Sequence, residues 1–381
     1  MGLLNLDFQG YRRTCAYLAP DDWFEHWGTL PLIVGLHGGN SNAADFMDIT
    51  EVGALLQGEF NDPPEPQKFI AVFPEGLSAR SFSVGSWSAG HMGRESATFG
   101  VDDVGFCLAC VEAVNNLFFS RYIELVYGIP AFNDLNPIAG PIQVPVGPPP
   151  GPIPVGPDGE VPRLPLTFYE HAKTMLIGHS QGGQMAYRLA IEGKLRPNGI
   201  VFTMVGVSAA TCGGLPFTDI NGQPNSMLAD DGETWWFPGP NDFDHNLMHF
   251  HGDADTSVSF RGEVAPGNME EVDKRVGPGK SVFRWDYAPG PELEIDSTGL
   301  PLSSKAEGTA LAPWVAALPG VASVTPERAL DGNALLWAWR AFGGRIVRYY
   351  LLLGGQHRWP QRGSPFGSAT GVIWRKLQEL P

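Results

Sequence analysis

Thr174-Met175-Leu176-Ile177-Gly178-His179-Ser180-Gln181-Gly182-Gly183-Gln184-Met185-Ala186-Tyr187-Arg188-Leu189-Ala190 decides how this chain is read. The first four residues are a short apolar run and predict a buried strand. The residues from Gln184 onward have helix-forming composition, with apolar positions at helical spacing. Between them lies Gly178-His179-Ser180-Gln181-Gly182, a Gly-x-Ser-x-Gly turn. The order strand, tight turn, helix is the context in which a serine is held at the tip of a nucleophile elbow. Glycines on either side allow a turn that a Cβ would block. The serine Oγ is expected at the C-terminal edge of the strand. The helix start below it offers backbone N–H groups to developing negative charge.

The elbow strand needs a sheet around it, and the sequence supplies one. Gly10 to Ala19 alternates like a strand, and Pro31 to Leu36 is an apolar run ending in His37-Gly38-Gly39-Asn40. A helix is expected from Ser41 to Leu56, capped by Asn40 or Ser41. Lys68 to Phe73 reads as a buried strand, Ser78 to Gly100 as a Gly/Ser-rich loop, and Val101 to Phe118 as a helix. Downstream, strands are expected at Gly199 to Val207, Asn246 to Phe250, Ser281 to Tyr287 and Arg345 to Leu353. Helices are expected at Ala306 to Ala317 and Ser368 to Leu380. Continuous apolar strands alternating with helices predict a mostly parallel sheet covered on both faces, an α/β fold.

Residues 130–165 break the alternation with a proline density that excludes helix and sheet interior. Because the elbow strand follows at once, this segment reads as a surface insertion or lid within one catalytic domain spanning residues 1–381.

Bulk properties narrow the function. A net charge of −16 argues against nucleic acid and anionic membranes as partners. No run reaches the roughly 18 apolar residues of a membrane span. Met1-Gly2-Leu3-Leu4 lacks the basic start of a signal peptide, so no leader is expected in the chain as it stands. The 4 cysteines are too few for a disulfide scaffold. Cys107 and Cys110 lie in the helical run and are expected to pack in the core. A Cys15–Cys212 pair remains open.

A serine nucleophile needs a base and a group to orient it. On this fold the chain order is nucleophile, acid, histidine. His357 lies directly after the Arg345 to Leu353 run and is the sole histidine beyond His251. It is therefore the candidate base. Asp255, Asp253 and Asp244 compete for the acid. The oxyanion hole calls for the N–H of Gln181, next to the serine, and one from the His-Gly-Gly loop, Gly39 first and Asn40 second. His37 and His179 are expected to pack and hydrogen-bond around the elbow.

The chain resembles the α/β-hydrolase esterases grouped with poly(3-hydroxybutyrate) depolymerases, feruloyl esterases and acetylxylan esterases. The resemblance is carried by Leu36-His37-Gly38, Val101-Asp102-Asp103-Val104-Gly105-Phe106, Gly178 to Gly183, His251-Gly252-Asp253-Ala254-Asp255 and Gly354-Gly355-Gln356-His357-Arg358-Trp359-Pro360. It implies Asp255 as acid, His357 as base and Gly39 in the oxyanion hole, where members often carry cysteine. It also makes Trp87 and Trp359, with His179, the candidate substrate-binding residues. It implies a serine esterase without cofactor or metal, with a polyester, a plant-wall ester or an aromatic polyester as polymeric or small-molecule substrate. It further implies an extracellular location, with a cytoplasmic one as the alternative. Oligomeric state is not indicated.

A second chemistry competes. His249, His251 and Asp253 have the spacing of metal ligands in binuclear hydrolases, which would make the chain a metal-dependent hydrolase. A non-catalytic binding module on the same fold fits poorly, because every triad member has a candidate.

Overall fold

The apolar runs form the strands of one large sheet. The structure is a computed structural model and describes residues 1–60, 65–77, 85–87, 101–127, 167–196, 199–209, 227–228, 235–236, 245–255, 257, 327–331, 333–340 and 345–380. Along the chain run β1 (Gly2–Phe8), β2 (Tyr11–Leu18), β3 (Leu30–Leu36), α1 (Ala43–Thr50), α2 (Val52–Leu56), β4 (Ile70–Pro74), α3 (Asp103–Tyr127), β5 (Tyr169–His179) and α4 (Gln181–Glu192). They are followed by β6 (Met204–Ser208), β7 (Met227–Leu228), β8 (Trp235–Trp236), β9 (Asn246–Gly252), β10 (Glu327–Asp331), β11 (Ala334–Arg340), β12 (Ile346–Leu352) and α5 (Ala369–Gln378).

Among the described residues the main sheet has the strand order β1-β2-β4-β3-β5-β6-β9-β12-β11-β10, and β7 and β8 form a separate small ladder. The centre, from β4 through β3, β5, β6 and β9 to β12, is parallel. Antiparallel strands close both sides: β1 and β2 on one, β11 and β10 on the other. This is the α/β-hydrolase arrangement, with the elbow strand β5 in the middle. β3 and β4 are buried along their whole length, as parallel strands covered on both faces must be.

Two apolar layers flank the sheet. One holds Leu176, Val205 and Leu247 against Phe106, Val114 and Phe118 of α3 and Tyr187 and Leu189 of α4. The other holds Ile33, Met175 and Phe250 against Phe46 of α1 and Ile373 and Trp374 of α5. By length and composition α3 meets the measure of a membrane span, although no run was expected to. Its Val104, Phe106, Cys110, Val114 and Phe118 are buried on the sheet, so it is a core helix. Cys107 and Cys110 are buried there, and burial pushes both thiols well above their ordinary range.

Several expectations change. The helix expected at Ser41 to Leu56 is two short helices, broken where Glu51 turns to φ 56°, the left-handed region that side chains rarely adopt. Its cap is Asn42, not Asn40 or Ser41: the Asn42 Oδ1 accepts the Asp45 N–H at 2.8 Å. β1 was not expected; it is an edge strand whose Asn5 and Asp7 are exposed between Leu4, Leu6 and Phe8. The strand and helix expected at Ser281 to Tyr287 and Ala306 to Ala317 lie outside the described residues, as do the proline-rich 130–165 segment, Asp244 and Cys212.

Candidate active site

The tight turn after β5 is enforced by contact. A Cβ on Gly178 would collide with the Gly182 carbonyl, and one on Gly182 with the carbonyls of Leu36 and His37. Both glycines are therefore needed for α4 to start directly above β5 and beside β3. Ser180 sits at the corner with φ 53° and ψ −123°. Such a conformation is costly for a residue with a side chain and persists only where its surroundings impose it. Here the Ser180 N–H donates to the Ser208 carbonyl at 2.9 Å, and the Ser180 carbonyl accepts the Gln184 N–H at 3.1 Å. The strain points the side chain off the strand edge.

His357 meets it there. Its Nε2 lies 2.9 Å from Ser180 Oγ, and its Nδ1 lies 2.8 Å from Asp255 Oδ2. Asp255 is 6% exposed, and its Oδ1 accepts the Ser257 N–H at 2.8 Å. The three residues are far apart in sequence and come from loops after β5, β9 and β12, at the C-terminal edge of the parallel sheet where α/β sites form. The acid and base loops are bound to each other. Ala254 N–H donates to the Gly355 carbonyl at 2.9 Å, and Gly354 N–H donates to Asp253 Oδ1 at 2.7 Å. Ser208 Oγ donates to the Arg358 carbonyl at 3.0 Å, which ties the base loop to β6. Asp253 is exposed and ties its own turn to the next loop, while Asp255 alone of the two reaches the imidazole.

The loop after β3 lies beside the serine. A Cβ on Gly38 would come to 3.4 Å from Ser180 Cβ, and one on Gly39 to 2.8 Å from Gln181 Oε1. A larger residue at 39 would thus press on the Gln181 side chain, which holds Trp87 through Trp87 N–H (3.4 Å) and Trp87 O (3.2 Å). The Gly39 N–H makes no hydrogen bond among the described residues, whereas Asn40 N–H is committed to the Gly85 carbonyl at 3.0 Å. Gln181 opens α4, where backbone N–H groups have no acceptor within the helix. Gly39 and Gln181 therefore meet next to Ser180, and Asn40 is directed elsewhere.

His37 braces that loop. Its Nδ1–H donates to the Gly38 carbonyl at 2.7 Å, and its Nε2 accepts the Gly76 N–H at 2.9 Å, which fixes a neutral tautomer. Its ring lies 4.9 Å from that of Trp87.

The two tryptophans expected to bind substrate do not face a cleft. Trp87 is fully buried, and its indole N–H donates to the His37 carbonyl at 2.8 Å. Trp359 is 3% exposed, packs edge-on against Phe46, and donates to Thr370 Oγ1 at 3.1 Å. Their expected role came from the family resemblance, which the burial of both side chains does not bear out. Both indoles instead have apolar neighbours and a partner for the N–H, the condition for burying tryptophan. His179 does border the triad: its ring lies 5.0 Å from that of His357, and its buried Nδ1 has no partner among the described residues.

The metal reading fails on the donors themselves. His249 uses both ring nitrogens, Nδ1 with Tyr187 Oη at 2.8 Å and Nε2 with His251 Nδ1 at 3.2 Å. Asp253 faces solvent with an oxygen on Gly354 N–H. Among the described residues, the one carboxylate–histidine group close enough to hold an ion is Asp22, Glu25 and His26. There the Lys68 ammonium is already 2.5 Å from Asp22 and 2.7 Å from His26.

Sequence reading missed Tyr187, Ser208 and Glu75. Glu75 directly follows β4, the position after an apolar strand that flagged the other site residues. Its Oε2 accepts the Ala43 N–H at 2.7 Å, and burial pushes its carboxyl up to about 7.

Burial holds His37 near 4, His179 near 3 and His245 near 4, each below the ordinary 6.5; for His179 the neighbouring His357 adds to it. All three are neutral in the fold but take protons in the unfolded chain below about 6.5. Their contribution to stability is complete above that pH and is lost as pH falls toward 4. Glu75 has the opposite sign: its contribution is complete near 4.5 and is lost as pH rises through 7. Three histidines against one carboxyl give the net direction. The thermal midpoint is expected to fall on going from pH 6.5 to 4, and a midpoint that rises over that range would contradict this balance.

No protein-family profile matches the chain, and no curated protein sequence matches it. Among solved structures it is similar to an acetyl xylan esterase from Aspergillus awamori at 12% identity and TM-score 0.41, over 95% of this chain and 96% of that one. It is also similar to LpqC, a poly(3-hydroxybutyrate) depolymerase from Bordetella parapertussis, at 17% identity and TM-score 0.35, over 68% of this chain and 67% of that one. A ferulic acid esterase matches at 11% identity and TM-score 0.34, over 67% of this chain and 79% of that one.

Proposed function

We propose that this chain is a serine hydrolase acting on carboxylic esters through an acyl-enzyme. The observation that carries the proposal is the unbroken hydrogen-bond line from Ser180 Oγ through His357 to Asp255. In the reaction, His357 Nε2 takes the proton from Ser180 Oγ as the oxygen attacks the ester carbonyl. The N–H groups of Gly39 and Gln181 receive the oxyanion. His357 then gives its proton to the leaving alcohol, and the C–O bond of the ester breaks. Water, activated by the same imidazole, releases the acid and restores the serine. Asp255 keeps Nδ1 protonated throughout, so that Nε2 is the basic nitrogen, and it stabilises the imidazolium between steps.

The finer reading is a polyester depolymerase of the poly(3-hydroxybutyrate) type, acting outside the cell on a polymer that cannot enter it. Its support is the set of sequence motifs shared with that esterase group. Feruloyl and acetylxylan esterases share the same motifs and are the alternatives, with an aromatic-polyester hydrolase as a further one. Because Trp87 and Trp359 are buried, the reading does not lean on them as a binding platform. Rates on poly(3-hydroxybutyrate) film, methyl ferulate, acetylated xylan and short nitrophenyl esters test it. Release of soluble hydroxyacids from the film well above the other rates is expected. A rate on ferulate or acetyl ester far above that on the film would replace the polyester reading.

A further inference from the structure

The acid of the triad has a second neighbour that the mechanism does not use. His251 Nε2 lies 3.6 Å from Asp255 Oδ2, the same oxygen that His357 approaches at 2.8 Å. Behind it the contacts continue inward. His251 Nδ1 meets His249 Nε2 at 3.2 Å, and His249 Nδ1 meets Tyr187 Oη at 2.8 Å. The two imidazoles are parallel, 5.5 Å apart, and His249 also stacks on Tyr349 at 5.1 Å. Both histidines are fully buried, and a polar line with this much burial is costly unless each link has a purpose or a partner.

The line has one polarity compatible with its end. If Tyr187 donates to His249 Nδ1, then His249 Nε2–H donates to His251 Nδ1, and His251 Nε2–H points at the Asp255 carboxylate. The reverse order would set the His251 Nε2 lone pair against a carboxylate oxygen. An ionised Asp255, which the proposed reaction requires, therefore selects the first order. Burial holds His249 well below its ordinary range, in keeping with a neutral imidazole there. At 3.6 Å the last link is longer than a formed hydrogen bond, so it acts as an N–H dipole facing the charge.

We infer that Tyr187, His249 and His251 are a positioning relay that holds Asp255 from the core side and shares its charge with His357. This rests on the serine-esterase reading and adds to it. A relay that shares the carboxylate's charge makes His357 less basic than Asp255 alone would. The titratable groups that face this line and His357 from the packed elements include His179 of β5, whose ring lies 5.0 Å from that of His357, and Tyr349 of β12, 5.1 Å from His249, with Asp253 on the same turn as Asp255.

The test is the pH profile of kcat/KM on nitrophenyl acetate for the native enzyme, His251→Phe, His251→Gln, Tyr187→Phe and Ser180→Ala. Phenylalanine keeps the ring and removes the donor; glutamine returns an N–H. His251→Phe is expected to lose kcat by several-fold, less than the loss of a formed hydrogen bond to a charged group would cost, with KM little changed. Its acidic limb should move to higher pH, because a carboxylate without its second donor holds the imidazolium more tightly. His251→Gln should recover most of the rate, and Tyr187→Phe should shift the limb in the same direction by less. An unmoved limb with native kcat in His251→Phe and Tyr187→Phe overturns the relay, as does equal damage in the Phe and Gln variants. If His251→Phe does not fold, Tyr187→Phe, which removes one oxygen, decides. An active Ser180→Ala would instead overturn the serine reading itself.

Discussion

Ser180→Ala lowers kcat by about 10⁴–10⁶ and leaves the fold and KM largely intact. That is the scale on which a serine hydrolase loses its rate when the nucleophile is removed, since base, acid and oxyanion donors have nothing to act on. The structure gives reasons to expect a clean result. Ser180 is held by its backbone, through Ser208 and Gln184, and its Oγ hydrogen bond goes to His357. Alanine removes that bond and nothing else the turn depends on. The strained φ of 53° costs alanine about what it costs serine. Steady-state kinetics on nitrophenyl acetate, with circular dichroism to confirm folding, reads the outcome. A variant with a tenth of native kcat would not fit.

Asp255→Asn lowers kcat by about 10²–10⁴, and Asp253→Asn by far less. An amide at 255 cannot stabilise the imidazolium, and its NH₂ can turn toward His357 Nδ1 and select the wrong tautomer. At 253 the side chain accepts the Gly354 N–H, and the asparagine Oδ1 can do the same. The carboxylate at 255 also caps its own loop through Ser257 N–H, again a role that asparagine can keep. The loss at 255 is therefore one of chemistry rather than of folding. The same kinetics with melting curves for both variants checks it, and the reverse ranking would move the acid to Asp253.

Much of this was legible in the chain. Gly178 and Gly182 announce the elbow because close backbone approach, here of Gly182 to the β3 carbonyls, leaves glycine as the residue that fits. His357 was legible because it follows an apolar strand with no other histidine downstream. The parallel centre of the sheet was legible because β3, β4 and β6 are apolar at every position but Ser208. The edges were less so: β1 alternates only over the short run Leu4 to Phe8 and is held by its pairing to β2. The Glu51 break between α1 and α2 carries no glycine or proline to mark it. The tryptophans misled for a different reason. Sequence shows that Trp87 and Trp359 lie in loops near the site, but only the fold shows that His37 O and Thr370 Oγ1 take their N–H groups inside. The choice of Asp255 over Asp253 came from the family resemblance and not from the residues themselves, since both follow β9; the turn's geometry supplies the physical reason by turning the Asp255 carboxylate toward His357.

The central claim is that Ser180 Oγ is the atom that becomes acylated. Incubating the enzyme with a fluorophosphonate and mapping the adduct by peptide mass spectrometry tests it most directly. The account predicts a single adduct on the peptide containing Gly178-His179-Ser180-Gln181-Gly182, on Ser180, lost in Ser180→Ala and formed much more slowly in Asp255→Asn. An adduct on any other residue, or an esterase that keeps its activity with the reagent bound to Ser180, would contradict it.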